Sequence, residues 1–101
     1  MPLNNVRVKE SALRLLFNRK YLARFQRGEF TLVEHWRGVP HVRAYQPPGT
    51  KSIIYEFYDR AGDKLGKFHV YELPDGTYGG SGQPDPKELI IGRNRLIASP
   101  D

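Results

Sequence analysis

One stretch of the chain, Lys9 to Arg27, is built from strong helix formers (Ala12, Leu13, Arg14, Leu15, Leu16, Ala23, Arg24) with no internal glycine or proline, and Gly28 stands where a C-cap glycine is expected. Nothing else in the sequence has this character, so one long helix is all that the chain offers. Leu13, Phe17, Tyr21 and Phe25 recur every fourth residue and, with Leu15 and Leu22, predict one apolar face. Lys9, Lys20, Arg24 and Arg27 fall together on the flank of that face. Asn18 is a point at which the helix could divide in two.

After Gly28 the pattern changes to period two. Phe30 to Trp36 and His41 to Tyr45, separated by Arg37-Gly38-Val39-Pro40, are expected to form a hairpin that Pro47-Pro48-Gly49 closes off. Ser52 to Tyr58 (SIIYEFY) carries the strongest strand signal. Asp59 to Asp63 supplies a turn, and Leu65 to Leu73 returns. Leu89-Ile90-Ile91 and Leu96-Ile97-Ala98 flank Gly92-Arg93-Asn94-Arg95 as a closing hairpin. The sum is an α+β domain spanning residues 1–101: one amphipathic N-terminal helix packed on one face of a mostly antiparallel sheet of four to six strands. The other sheet face is then left open.

Alternation assigns that open face. With Ile53, Tyr55, Phe57, Phe68 and Val70 inward, Glu56, Tyr58, Lys67, His69 and Tyr71 point outward. Val42 and Ala44 inward put His41, Arg43 and Tyr45 outward. Phe30, Leu32 and Trp36 inward put His35 and Arg37 outward, at the cost of turning Glu34 inward, which a bulge would have to resolve. All three histidines are thereby expected on one face with Arg37, Arg43 and Lys67.

The chain carries a net charge of +5, and its distribution is uneven. Residues 1–43 hold nine Lys/Arg against three Asp/Glu, whereas residues 44–101 hold seven against eight. Basic groups interleaved with exposed aromatics suit a nucleic-acid platform, in which cations meet phosphates and rings stack on bases. On this reading Lys9, Lys20, Arg24, Arg27, Arg37, Arg43, Tyr58, Lys67 and Tyr71 make the contacts. Two alternatives stand beside it. One is a metal-independent ribonuclease of toxin type, in which His41 and His69 exchange protons with help from Glu56 and Tyr71. The other is a protein-interaction or self-associating module, a homodimer included.

Other chemistries lack their residues. There is no cysteine, which removes disulfides, thiolate metal sites and cysteine nucleophiles. No H-x-x-x-H or related spacing marks a metal site, and no G-x-S-x-G elbow is present. No cofactor is expected, and neither a secretory signal nor a membrane span is visible, which points to the cytoplasm. The segment Leu73 to Ile90 is rich in glycine, but Gly79-Gly80-Ser81-Gly82 lacks the lysine of a phosphate loop. It reads as a connection, with Pro74-Asp75-Gly76 a turn and Asp85-Pro86-Lys87-Glu88 the start of a short helical turn.

Overall fold

The computed structural model describes residues 2–101 and has an α+β architecture. In chain order it runs β1 (Asn4–Lys9), α1 (Glu10–Phe17), a π-helical turn (Asn18–Leu22), α2 (Ala23–Gln26), β2 (Thr31–Gly38), a short 3-10 turn (Val42–Ala44), β3 (Lys51–Tyr58), β4 (Lys64–Glu72), β5 (Asp85–Ile91) and β6 (Asn94–Ser99). The six strands make one sheet in the order β1-β6-β5-β4-β3-β2, antiparallel except where β1 runs parallel to β6. The chain starts at one edge, crosses the covered face as the helix, and re-enters at the opposite edge. From there it meanders back until β6 meets β1.

Residues 10–26 form one continuous helical run, not two helices, and the reason lies in the spacing of its apolar stripe. A repeat of four exceeds the roughly 3.6 residues of an α-helical turn, so the stripe drifts around the helix. The wider π turn at Asn18–Leu22 takes up the drift. Leu13, Phe17 and Tyr21 are buried on the sheet, and Phe25 packs beside them. Phe17 meets Phe57 at 5.8 Å and Phe68 at 6.2 Å between ring centroids. Phe25 lies 5.2 Å from Phe68, and Phe30 5.2 Å from Phe57. Edge-to-face contacts of this kind add to the burial of each ring.

Three expectations fail locally. Residues 41–45 are not a strand: β2 pairs with β3, and the chain between them forms a loop containing the 3-10 turn. Asp85–Glu88 is not a helical turn but the first half of β5, and a register shift opposite Lys67/Phe68 lets Pro86 sit in the sheet without a ladder donor. The helix is not the first element, because β1 precedes it; β1 is recruited by its parallel partner β6 across the Val6–Leu96 and Val8–Ala98 pairs. The turn at Pro74-Asp75-Gly76 forms as expected, with Asp75 accepting from the Thr77 amide at 2.9 Å and Gly76 at φ 86°.

Gly66 is the glycine that the sheet requires. It sits at φ 156° in β4, and a Cβ there would collide with the Glu88 carbonyl of β5. Gly66→Ala is expected to destabilise the fold by about 3 kcal/mol, read as a lower urea midpoint, whereas Gly80→Ala, which faces open space, should cost under about 1–2 kcal/mol of backbone strain.

Candidate nucleic-acid interface

Register assigns the uncovered face strand by strand, because cross-strand partners share a face. Val33, Glu56, Lys67, Glu88, Ile97 and Arg7 form one row across all six strands. Trp36, Ile54, His69 and Asp85 form the next, followed by the Ser52–Tyr71 pair. Tyr58 and Lys64 sit opposite each other toward the other end. The outward set read from β3 and β4 is therefore present on this face.

On β2 the expectation is corrected. A bulge between Glu34 and Trp36 shifts the phase, so Trp36 turns outward beside Ile54 and its indole folds over Gly38. His35 still reaches the open face, with Nδ1 3.6 Å from Glu56. Arg37 pairs with Ile53 on the covered side and is held by Glu34. The hydrogen bond that it donates to the Glu34 carboxylate is the chief cause of its raised pKa. Arg43 and His41 lie in the β2–β3 loop, off the sheet, where the His41 Nδ1 accepts the Arg43 amide at 3.1 Å. The three histidines thus do not share one face.

The helix flank is also rearranged. Lys9 ends β1 and does not join the helix. Lys20 lies over the Tyr21 ring. Arg24 lies over the Phe30 ring at 4.9 Å and bonds Glu29, which Arg27 also bonds. Arg27 is the main reason that the Glu29 carboxyl titrates below its usual range.

The centre of the open face is an ion-pair chain. Lys64 Nζ lies 3.0 Å from Glu56 and 3.3 Å from Glu88, and Arg95 Nε lies 3.0 Å from the other Glu88 oxygen. Lys64, more than any other group, holds the Glu56 carboxyl below its usual range. Burial opposes the charge on Lys64, but the two carboxylates outweigh it and raise the lysine pKa. Lys67, between Glu56 and Glu88 in register, has no carboxylate within ion-pair distance.

At one end of the face a second group converges. His69 Nε2 is 2.6 Å from the Ser52 hydroxyl, and its ring meets Tyr71 edge-on at 4.6 Å. His69, Tyr71, Arg14, Tyr78, Asp85 and Gly79-Gly80-Ser81 line a cleft of about 170 Å³. The glycine segment forms its wall because the Gly79 amide bonds the Tyr71 carbonyl at 2.8 Å. Burial alone would raise the Asp85 pKa, but Lys87 at 2.8 Å and Arg14 at 3.0 Å lower it. Ser52, Arg14 and Asp85 escaped the sequence reading. Ser52 shares the parity of Glu56 and was legible, whereas Arg14 and Asp85 meet only through the packing of α1 on β5.

His41 lines a different cleft, within the β2–β3 loop, so His41 and His69 do not meet around one space. Among the described residues no three His, Asp or Glu side chains gather to hold a metal ion, and no helix is long and apolar enough to cross a membrane. The chain matches no family model, no curated protein and no solved structure.

Burial, and secondarily Lys87, lower the His69 pKa, with Asp85 opposing. An unfolded histidine titrates near ~6.5, so below that pH the unfolded chain binds more protons at this position than the folded one. This contribution is therefore present above pH ~6.5 and is lost as the pH falls below it. The urea midpoint should decline from pH ~7 toward ~5, ahead of carboxylate titration, and His69→Gln should flatten that decline.

Proposed function

We propose that the protein is a nucleic-acid-binding module that lays a single-stranded segment along its uncovered sheet face. The observation that carries the reading is the charge of that face. Arg7, Lys9, Lys64, Lys67, Lys87 and Arg95 stand against Glu56, Asp85 and Glu88, and each of those three carboxylates is already held by a cation. The carboxylates are thus screened from an incoming phosphate, while Arg7, Lys9 and Lys67 form no ion pair with a carboxylate. Tyr58 stands toward one end of the face and His69 and Tyr71, two residues apart on β4, toward the other, with Lys67 between them. Rings so placed offer stacking surfaces to unpaired bases, and the flat face suits a strand more than a duplex groove.

The contacts differ from a helix-centred arrangement. Arg24 and Arg27 share the one Glu29 carboxylate and Arg37 is held by Glu34, so the contacts proposed lie on the sheet face rather than on the helix flank. The site of action proposed is cytoplasmic, in keeping with the cysteine-free composition. A ribonuclease reading lacks comparable support, since its two histidines line separate clefts.

Anisotropy of labelled single-stranded RNA and DNA oligonucleotides tests the proposal. With Arg7, Lys9 and Lys67 at phosphates, log affinity should fall against log salt with a slope of about −2. Tyr71→Ala should weaken binding ~5- to 150-fold, the range for loss of one stacked base. Lys67→Ala should reduce the slope by about 0.7. Affinity independent of salt, or unchanged in both variants, would refute the interface.

A further inference from the structure

Among the described residues, five of the seven exposed large hydrophobic residues fall within one short stretch: Val33, Trp36, Val39, Val42 and Tyr45. The last three belong to the β2–β3 loop and are 88%, 82% and 88% exposed, values unusual for apolar side chains in an ordered segment. The first two lie on β2, a sheet edge whose outer side has no neighbouring strand. Together they make an apolar strip along the chain, from the edge strand into the loop.

The loop is held in shape. Ala44 and Tyr45 amides bond the His41 and Val42 carbonyls, Gln46 bonds the Ala44 carbonyl, and the Thr50 amide bonds Pro47. Pro40, Pro47 and Pro48 restrict it further. Within this frame Tyr45 adopts φ 53°, ψ 40°, a left-handed conformation that costs a bulky residue roughly 1–2 kcal/mol. No packing repays that strain, since the ring projects into solvent. Beside it, Val39, Pro40, His41, Val42 and Pro47 line a cleft of about 220 Å³, with the Thr50 hydroxyl on its wall, buried and without a hydrogen-bond partner. A strained, presented aromatic, aliphatic knobs and a recess with an unmet polar group are features of a surface completed by a partner.

The charge of the strip selects that partner. Along the strip Glu34 is taken up by Arg37, and among the described residues Arg43 and the nearby Lys51 form no ion pair with a carboxylate, so the loop presents uncompensated positive charge. A second copy bound through the same strip would bring two Arg43 guanidiniums and two chains of net charge +5 into one interface with no added carboxylate from the loop. Val39 and Val42 offer nucleic acid no stacking surface, and with Tyr45 they belong to the loop, off the sheet rows that hold Tyr58, Lys67 and Tyr71. We infer that the β2 edge and the 39–45 loop form a docking surface for an acidic segment of another protein, one that seats an apolar side chain in the loop cleft and sets carboxylates near Arg43. This inference does not depend on nucleic-acid binding by the open face.

Selection of displayed random peptides on the full chain tests it, followed by anisotropy with the enriched peptides. The expected peptides carry Leu, Ile or Phe flanked by Asp or Glu. Val42→Asp and Tyr45→Gly should each weaken them by about tenfold or more, while thermal unfolding shows both variants folded. Tyr45→Gly relieves the left-handed strain, so loss of binding in that variant cannot be ascribed to unfolding. Enrichment of basic peptides, no enrichment, or peptides bound equally by both variants would overturn the inference. So would either of two other outcomes: loss of oligonucleotide affinity in these variants, which would assign the strip to nucleic acid, or a concentration-dependent dimer abolished by Val42→Asp, which would assign it to a second copy.

Discussion

A single helix can cover only one face of a sheet, and the rest of this structure follows from that limit. The aromatic cluster of Phe17, Phe57 and Phe68 forms the centre of the core on the covered side. The opposite face of six strands must then remain stable in water. It does so through the Glu56–Lys64–Glu88–Arg95 chain, which ties together β3, β4, β5 and β6 with charges in place of a second layer. Exposed ion pairs contribute little one by one, but Glu88 is buried within the chain, and loss of its cations would leave an uncompensated charge. The same network leaves Lys67 without an ion-pair partner in the middle of the face. The network is itself neutral, two carboxylates with two cations, so the surplus positive charge of the face rests on cations outside it such as Lys67.

Four single-residue insertions set where the functional side chains point, one of them, in the pairing of β3 with β4 beyond Phe57, bringing Lys64 opposite Tyr58. The π turn at Asn18–Leu22 keeps Tyr21 and Phe25 over the core. The bulge at His35 turns Trp36 outward and leaves the Glu34–Arg37 pair on the other side, beyond the reach of the helix. The register shift in β5 places Asp85 opposite His69 and gives Pro86 a place in the sheet. Each is a change of phase by one residue, and each alters which side chains share a surface. Without the β2 bulge, Trp36 would press toward the core and the edge would present far less apolar surface.

The parts of this arrangement that were legible in the sequence are those where local pattern and tertiary context agree. Ile53, Tyr55 and Phe57 alternate with Ile54, Glu56 and Tyr58 in a central strand, and Phe68 and Val70 answer them, so parity alone placed Glu56, Lys67, His69 and Tyr71 on the open face. The helix announced itself by composition and ended at Gly28, where φ is 70°. What was hidden depended on distant partners. Asn4 to Lys9 has only two valines to mark it and becomes a strand because β6 lies beside it. Asp85-Pro86-Lys87-Glu88 carries the local signals of a helix start, and the pairing of β5 with β4 and β6 overrides them. His41 to Tyr45 alternates like a strand but has no neighbour to pair with, since β3 is already occupied by β2 and β4.

That last failure bears on function. A segment with strand-like alternation of Val42 and Ala44 against His41, Arg43 and Tyr45 would normally bury its apolar side in a ladder. Here the prolines on either side and the 3-10 turn keep it out of the sheet, and its valines are left in solvent. The glycine-rich segment shows the converse: it looked the more functional on composition, yet its role is to wall a cleft whose chemistry comes from His69, Tyr71 and Arg14. In a domain this small, apolar groups withheld from the core lower stability, and the burial that residues 39–45 forgo is comparable to that of several core side chains. The docking proposed for this loop would supply the compensation, outside the fold, for both this loss and the left-handed Tyr45.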